Sequence, residues 1–282
     1  MKKIFTIIVL FIISISSIRI WFPAYANAVY DDGKTVLSKS KLNGSDRADD
    51  LNSLNSLNSS DGLNGLPVLM YHFFFDKSKG EKGADGNWLE IKKFEEQMKY
   101  LHDKKYYLPA WSEVASYVKG KTKLPKKSVV ITIDDGHPSL LSLAKPILIK
   151  YNIKATSFSM TKNVKKNINS TPHNTPYIEY QSHTHDMHRR DRQGKGVFIS
   201  TDYKTAYNDL IKSKKILNSA DAFAYPFGHY NNHAVKVLKA AGFKLAFTTE
   251  YAKVRPKMNR YKLPRIRISA EDSLNSFIAK VK

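Results

Sequence analysis

From residue 66 onward, short apolar runs alternate with segments whose apolar residues recur every three or four positions. This alternation limits the possible folds more than any other feature of the chain. Pro67–Tyr71, Ser128–Ile133, Ala155–Met160, Tyr177–Ser182, Ala222–Tyr225, Leu245–Thr248 and Leu263–Ile268 are short runs, several of them rich in β-branched and aromatic residues, and predict strands. Between them, residues 90–104 (with Phe94, Met98 and Leu101 at helical spacing), 140–151, 202–217 and 232–241 predict helices. Gly242 closes the last of these, and a final helix starts near Ser273. Such β/α alternation predicts a single α/β domain with a parallel sheet, open or closed into a barrel. In barrels of this kind, chemistry collects at the C-terminal ends of the strands.

The first 64 residues differ in character. Lys2 and Lys3 precede an apolar run from Ile4 to Ile15, and Ala26-Asn27-Ala28 follows. A positive start, a short apolar core and an A-x-A site predict an export signal over 1–28. The run falls short of the roughly 20 residues needed to span a bilayer, and Arg19 interrupts its continuation. Residues 29–64 contain the triplets Leu51-Asn52-Ser53, Leu54-Asn55-Ser56 and Leu57-Asn58-Ser59. A three-residue repeat rich in Asn and Ser presents no continuous apolar face, which predicts a flexible tail before a domain at 65–282.

The absence of cysteine excludes disulfides, a thiol nucleophile and thiolate metal sites, so any metal must bind through His, Asp or Glu. Two segments after predicted strands carry such groups. The first is Thr132-Ile133-Asp134-Asp135-Gly136. Neighbouring strand residues point in opposite directions, so two adjacent carboxylates suit two tasks, one binding a metal and one acting as a base. The second is Ser182-His183-Thr184-His185-Asp186-Met187-His188, with three of the nine histidines in six residues. The spacing from His183 to His188 fits neither a helix face nor a strand face and demands a loop. His185 and His188 are the competing pair. One carboxylate and two imidazoles would make a three-ligand site with open positions, as catalytic metal sites need.

These motifs resemble those of the polysaccharide deacetylase family (carbohydrate esterase family 4, the NodB homology domain), over about Leu66 to Ile268. The family's T-F-D-D-G matches Thr132–Gly136 with Ile133 for Phe, and its H-[S/T]-x-x-H matches His183-Thr184 and then His188 with one extra residue. The resemblance implies a distorted (β/α) barrel with Asp134 as general base. It also implies a divalent metal, zinc by expectation, on Asp135, His183 and His188, with His185 the alternative to His188. The third family motif reads Phe223-Ala224-Tyr225-Pro226-Phe227-Gly228 here. Tyr225, Pro226 and Phe227 are the implied substrate and oxyanion residues, with the Tyr225 backbone N–H as a candidate donor. Ala224 stands where the family carries an arginine that pairs with the base. Arg265 or Arg267 is the candidate replacement, since a nearby cation keeps a carboxylate ionised. The rival reading is that both arginines merely flank a strand.

The biofilm poly-β-1,6-N-acetylglucosamine N-deacetylases within the family are similar in these departures and in an early M-Y-H, here Met70-Tyr71-His72. That makes His72 the implied general acid. The implied reaction is metal-dependent N-deacetylation of that polymer, leaving cationic glucosamine units. Other N-acetylglucosamine polymers (chitooligosaccharide, peptidoglycan) and a non-catalytic carbohydrate-binding role on the same fold are the alternatives. The net charge of +21 is unexplained by a neutral polymer and predicts retention on an anionic envelope, teichoic acid or lipid. No nucleic-acid-binding signature accompanies it. A secreted, surface-retained monomer is expected. Trp111, Tyr225, Phe227 and Tyr230 are candidates for stacking on sugars, and Phe73-Phe74-Phe75 for an exposed aromatic tip.

Overall fold

The structure, a computed structural model, describes residues 63–162, 175–218 and 220–282. The expected export signal and nearly all of the expected tail lie outside these residues. The strands are β1 Val68–Tyr71, β2 Phe73–Phe75, β3 Trp88–Glu90, β4 Val130–Asp135, β5 Ala155–Ser159, β6 Ile178–Ser182, β7 Ala222–Ala224, β8 Leu245–Tyr251 and β9 Leu263–Arg267. Among the described residues, seven of them close a parallel barrel in the order β1-β4-β5-β6-β7-β8-β9, with β9 returning to β1. The barrel is uneven: β6 and β7 share the single register pair Ser182↔Phe223, and the β8–β9 register slips between Phe247 and Tyr251. Each apolar run named above became a strand. The short pair β2–β3, set beside the barrel, was not anticipated.

Parallel neighbours require crossovers, and helices supply most of them. These are α1 Ile91–Asp103, α2 Trp111–Val118, α3 Lys145–Lys150, α4 Tyr203–Leu217 and α5 Asn232–Ala240; α6 Leu274–Val281 follows the last strand. α1 buries Phe94, Met98 and Leu101, the positions that predicted it. Local signals fix the ends of α4 and α5. The Asp202 side chain accepts from Thr205 N and that of Asn231 from Ala234 N, each satisfying a first-turn N–H.

The pleat divides the strand side chains into two apolar sets. Leu69, Tyr71, Ile131, Ile133, Phe223 and Ile266 face outward into the helix layer. Val68, Val130, Phe158, Ala222, Ala224, Leu245, Phe247 and Leu263 fill the interior. Trp111, at the start of α2, belongs to this inner set. Its ring lies 5.3 Å from that of Phe247, and its Nε1–H donates to Thr156 Oγ1 at 3.2 Å. Trp111 is therefore core, and the expectation that it stacks on a sugar is corrected. The aromatic tip is corrected too. β2 pairs with β3, Phe74 is buried, and Phe73 and Phe75 are half-buried. Towards the C-terminal ends of the strands the interior turns polar, with Thr132, Asp134 and Arg265 all buried.

Candidate active site

β4 carries both carboxylates into this polar end. Asp134 continues the inward alternation of Val130 and Thr132 and is 2% exposed. Arg265, on β9 and 1% exposed, meets it with a fork: one terminal nitrogen donates to Oδ1 at 2.8 Å and the other to Oδ2 at 2.7 Å. Two further guanidinium donors are used, on Thr248 O (3.1 Å) and Thr132 Oγ1 (3.1 Å). Burial alone would raise the Asp134 pKa, but the Arg265 charge and its two bonds outweigh burial and hold it below the usual carboxylate range. Arg267 does not share this role. It is exposed at the end of β9 and donates to Asn87 Oδ1 at 2.5 Å. Alternation puts both candidate arginines on the same side of β9; Arg265 is buried within the strand, whereas Arg267, its last residue, is exposed.

Asp135 departs from the strand at φ +71°, a left-handed conformation that Asp tolerates better than most residues. Gly136 follows at φ +65°, where a Cβ would lie 2.8 Å from Ser159 Oγ. This turn aims the Asp135 carboxylate away from Asp134 and towards the loop after β6. His183 Nε2 and His188 Nε2 each lie 3.3 Å from Asp135 Oδ1. One ligand atom from each of the three residues falls within 4.8 Å of the others.

The His183–His188 loop is held by bonds that the sequence does not advertise. The Asp209 carboxylate on α4 accepts from the backbone N–H groups of His185 (2.7 Å) and Asp186 (2.9 Å). Thr184, at φ +74°, accepts from Met187 N at 3.1 Å. The extra residue is absorbed in this turn, and His185 is directed away, its Nδ1 2.9 Å from Thr161 Oγ1. His188 is thus the imidazole that joins His183.

Tautomer and burial fit a cation. His183 Nδ1 lies 2.7 Å from Ala224 O; a carbonyl only accepts, so Nδ1 carries a proton and Nε2 is the nitrogen turned to Asp135. Burial would lower the pKa of this ring, but Asp135 and Asp134 raise it. Burial and the neighbouring His183 pull the His188 pKa down to about 4, which leaves that ring neutral. Asp135 remains a carboxylate, because the pull of the imidazoles exceeds the burial that would raise it. Its buried Oδ1 makes no hydrogen bond of sound geometry. Two imidazole nitrogens and an unsatisfied carboxylate oxygen, converging in a buried spot, suit a divalent ion, which would replace the proton of His183 Nε2.

His72 follows β1. Tyr71 pairs with Ile133, so the same register sets His72 beside Asp134. Burial lowers its pKa, only partly countered by the Asp134 and Asp135 carboxylates, and its buried Nδ1 has no hydrogen-bond partner among the described residues. The Tyr225-Pro226-Phe227 turn borders the site differently from expectation. The Tyr225 N–H continues the β7–β8 ladder to Phe247 O at 3.0 Å, so it is not free for an oxyanion; its ring is core and its hydroxyl donates to Tyr261 O at 3.0 Å. Pro226 is buried. Phe227, at φ +59°, stands 4.4 Å from the His188 ring with the Arg190 guanidinium 4.3 Å from its own. Among the described residues, Asp135, Thr184 and Phe227 are three of the seven non-glycine residues at positive φ, and all three surround this centre, as backbone strain tends to gather at functional sites.

The sequence profile of the polysaccharide deacetylase family matches residues 121–246. A poly-β-1,6-N-acetyl-D-glucosamine N-deacetylase of Staphylococcus aureus is 34% identical over 227 residues, covering 74% of this chain and 76% of its own. Among solved structures, the Streptococcus pyogenes deacetylase PplD in complex with acetate superposes with a TM-score of 0.65 at 23% identity, over 79% of this chain and all of that one. IcaB from Ammonifex degensii superposes at 0.62 and 24% identity, over 77% and 95%. At these identities the two structures speak for the barrel alone.

Proposed function

The chain belongs to the polysaccharide deacetylase family, and from that premise we propose that it hydrolyses the N-acetyl groups of poly-β-1,6-N-acetyl-D-glucosamine. The products are acetate and glucosamine units. The observation that carries this reading is the meeting of Asp134, locked by Arg265, with the Asp135–His183–His188 cluster at the C-terminal end of one barrel. The staphylococcal relative's substrate supports the choice of polymer.

Asp135, His183 and His188 would hold a divalent ion, zinc being the fit for one oxygen and two imidazole donors. Such an ion supplies a Lewis acid that polarises the acetamide carbonyl and acidifies water. Asp134 is then the base. Arg265 keeps it unprotonated and fixes both oxygens, so the carboxylate is oriented before a water gives up its proton. The water oxygen adds to the carbonyl carbon and the C–N bond breaks. His72 delivers a proton to the departing nitrogen; its lowered pKa makes its charged form a stronger acid than a free imidazolium. The proton held by Asp134 returns to solvent when acetate leaves, and His72 regains one from solvent. Phe227, beside His188, supports an apolar wall for the sugar.

Export through residues 1–28 and retention of the strongly basic remainder on an anionic envelope complete the proposal. Acetate release from the β-1,6 polymer and from chitin oligomers, with and without chelator, tests it. Release from the β-1,6 polymer that stops on chelation is the expected result. Release from chitin oligomers alone would sink the substrate assignment, and release indifferent to chelator would sink the metal.

A further inference from the structure

A row of rings leads away from His72. The ring of Phe73 lies 5.9 Å from that of His72, 5.1 Å from Trp88 and 5.1 Å from His137, and Trp88 and His137 are 5.2 Å apart. Two features of the fold assemble it. The β2–β3 register sets Phe73 opposite Trp88, and Gly136 turns the chain after the paired carboxylates so that His137 comes back towards them. Trp88 and His137 are half-buried and border a hollow of about 600 Å³, lined also by Ser142, Leu143, Lys79 and Lys82. Gly83 lets the 76–87 loop close on Trp88: a Cβ there would stand 2.7 Å from Trp88 Cβ.

His137 is held in a defined tautomer. Its Nδ1 accepts from Ser139 N at 3.2 Å and lies 2.9 Å from Ser139 Oγ, whose own lone pair takes the Phe74 N–H at 3.1 Å. The ring proton is therefore on Nε2, and that N–H has no partner among the described residues. An aromatic face, a free directional donor and a hollow of this size make a ligand subsite. Its position two residues beyond Asp135, and in ring contact with His72's neighbour, means that a polymer lying across the site runs past it.

We propose that Trp88 and His137 form a subsite for a neighbouring N-acetylglucosamine unit of the same polymer chain. Trp88 stacks on the pyranose ring, and His137 Nε2–H donates to a hydroxyl or acetamide oxygen. The inference rests on the deacetylase reading and deepens it. It makes these two residues determinants of how the enzyme reads chain length, while the reacting unit is held elsewhere.

Tryptophan emission and kinetics test it separately from the reaction. The chain has three tryptophans. Trp21 lies in the expected export signal, and Trp111 is sealed in the barrel. Titration of the full chain with a β-1,6-linked N-acetylglucosamine pentamer is expected to change the emission and Trp88→Leu to abolish that change, while Trp88→Phe, which keeps a ring to stack, is expected to hold KM closer to the parent than Trp88→Leu does. An aromatic contact of this kind corresponds to about a three- to tenfold effect. Trp88→Leu is thus expected to raise KM for the pentamer by about that factor, with a smaller effect on kcat and on the dimer. His137→Gln is expected to do the same more weakly. Thermal melts of each variant report on folding. An emission change that survives in Trp88→Leu, or an equal loss of kcat/KM from dimer to pentamer, overturns the subsite. Acetate release without any emission change overturns the subsite and leaves the deacetylase reading intact. An emission change lost in Trp88→Leu, without acetate release from the pentamer, does the reverse.

Discussion

Arg265 and Asp134 stand 131 positions apart in sequence, on β9 and β4, the two strands that flank β1, yet they form a two-bond ion pair at 2.8 and 2.7 Å with hardly any exposed surface. The cation comes from β9, whereas the family motif would place it at position 224 on β7, where Ala224 is fully buried. Removing one partner of a buried pair strands the other charge and typically costs about 3–5 kcal/mol. Arg265→Ala is expected to lose that much unfolding free energy and at least tenfold in acetate release, with Arg265→Lys intermediate because it keeps charge but not the fork. Ala224→Arg combined with Arg265→Ala is expected to recover part of both. Denaturant midpoints and acetate assays check this; a fully active Arg265→Ala would remove the arginine from the mechanism.

Asp134→Asn separates base from ligand. Loss of a general base typically costs about 10²–10⁴-fold, so acetate release should collapse while a stoichiometric zinc ion, measured by calorimetry on the variant, still binds. Loss of zinc binding together with activity would instead make Asp134 part of the ion's shell.

His188→Ala and His185→Ala distinguish the two loop histidines. The first is expected to abolish tight zinc binding and activity. The second removes only a contact to Thr161 and should retain zinc. Zinc added to the parent protein should raise its melting temperature, since an ion that binds only the folded chain stabilises it. The reverse ranking of the two variants would assign the ligand to His185.

Gly136→Ala probes the turn between Asp135 and His137. The residue sits at φ +65° and its new methyl would meet Ser159 Oγ at 2.8 Å. A left-handed non-glycine residue costs about 1–2 kcal/mol, and the shift falls directly on the Asp135 carboxylate. Zinc affinity and acetate release are expected to drop more than the melting temperature does; parent-like zinc affinity would contradict the role given to this turn.

Asp272 gives a pH dependence remote from the centre. Its carboxylate accepts from Lys280 Nζ at 2.6 and 2.5 Å, from Ser276 Oγ at 2.5 Å and from Ser269 N at 2.8 Å, fastening α6 to the chain after β9. Burial alone would raise its pKa, but these bonds lower it overall. A depressed folded-state pKa means stability that is present above the unfolded value of about 3.9 and lost as pH falls through the folded one. Asp272→Asn should therefore be clearly destabilised in urea at pH 7, and the gap from the parent should narrow progressively as pH falls below the unfolded value of about 3.9. A gap that persists in acid would mean the loss is one of packing.

By itself, the sequence determined the elements and the chemistry they carry. Phe94, Met98 and Leu101 specified one helix face, β-branched runs specified the barrel strands, and Asp134-Asp135-Gly136 with the His183–His188 loop supplied the reactive groups. These are local patterns, legible because periodicity and residue type follow from short-range geometry. Only the tertiary structure decided which arginine meets Asp134, which histidine meets Asp135, and that the Tyr225 N–H belongs to the β7–β8 ladder. It also turned Trp111 into a plug, folded the phenylalanine triplet into a two-strand pair and set Trp88 against His137. Each of these outcomes depends on pairing between segments far apart in sequence, where barrel closure, strand register and one distant carboxylate at Asp209 choose between neighbours that look equivalent along the chain.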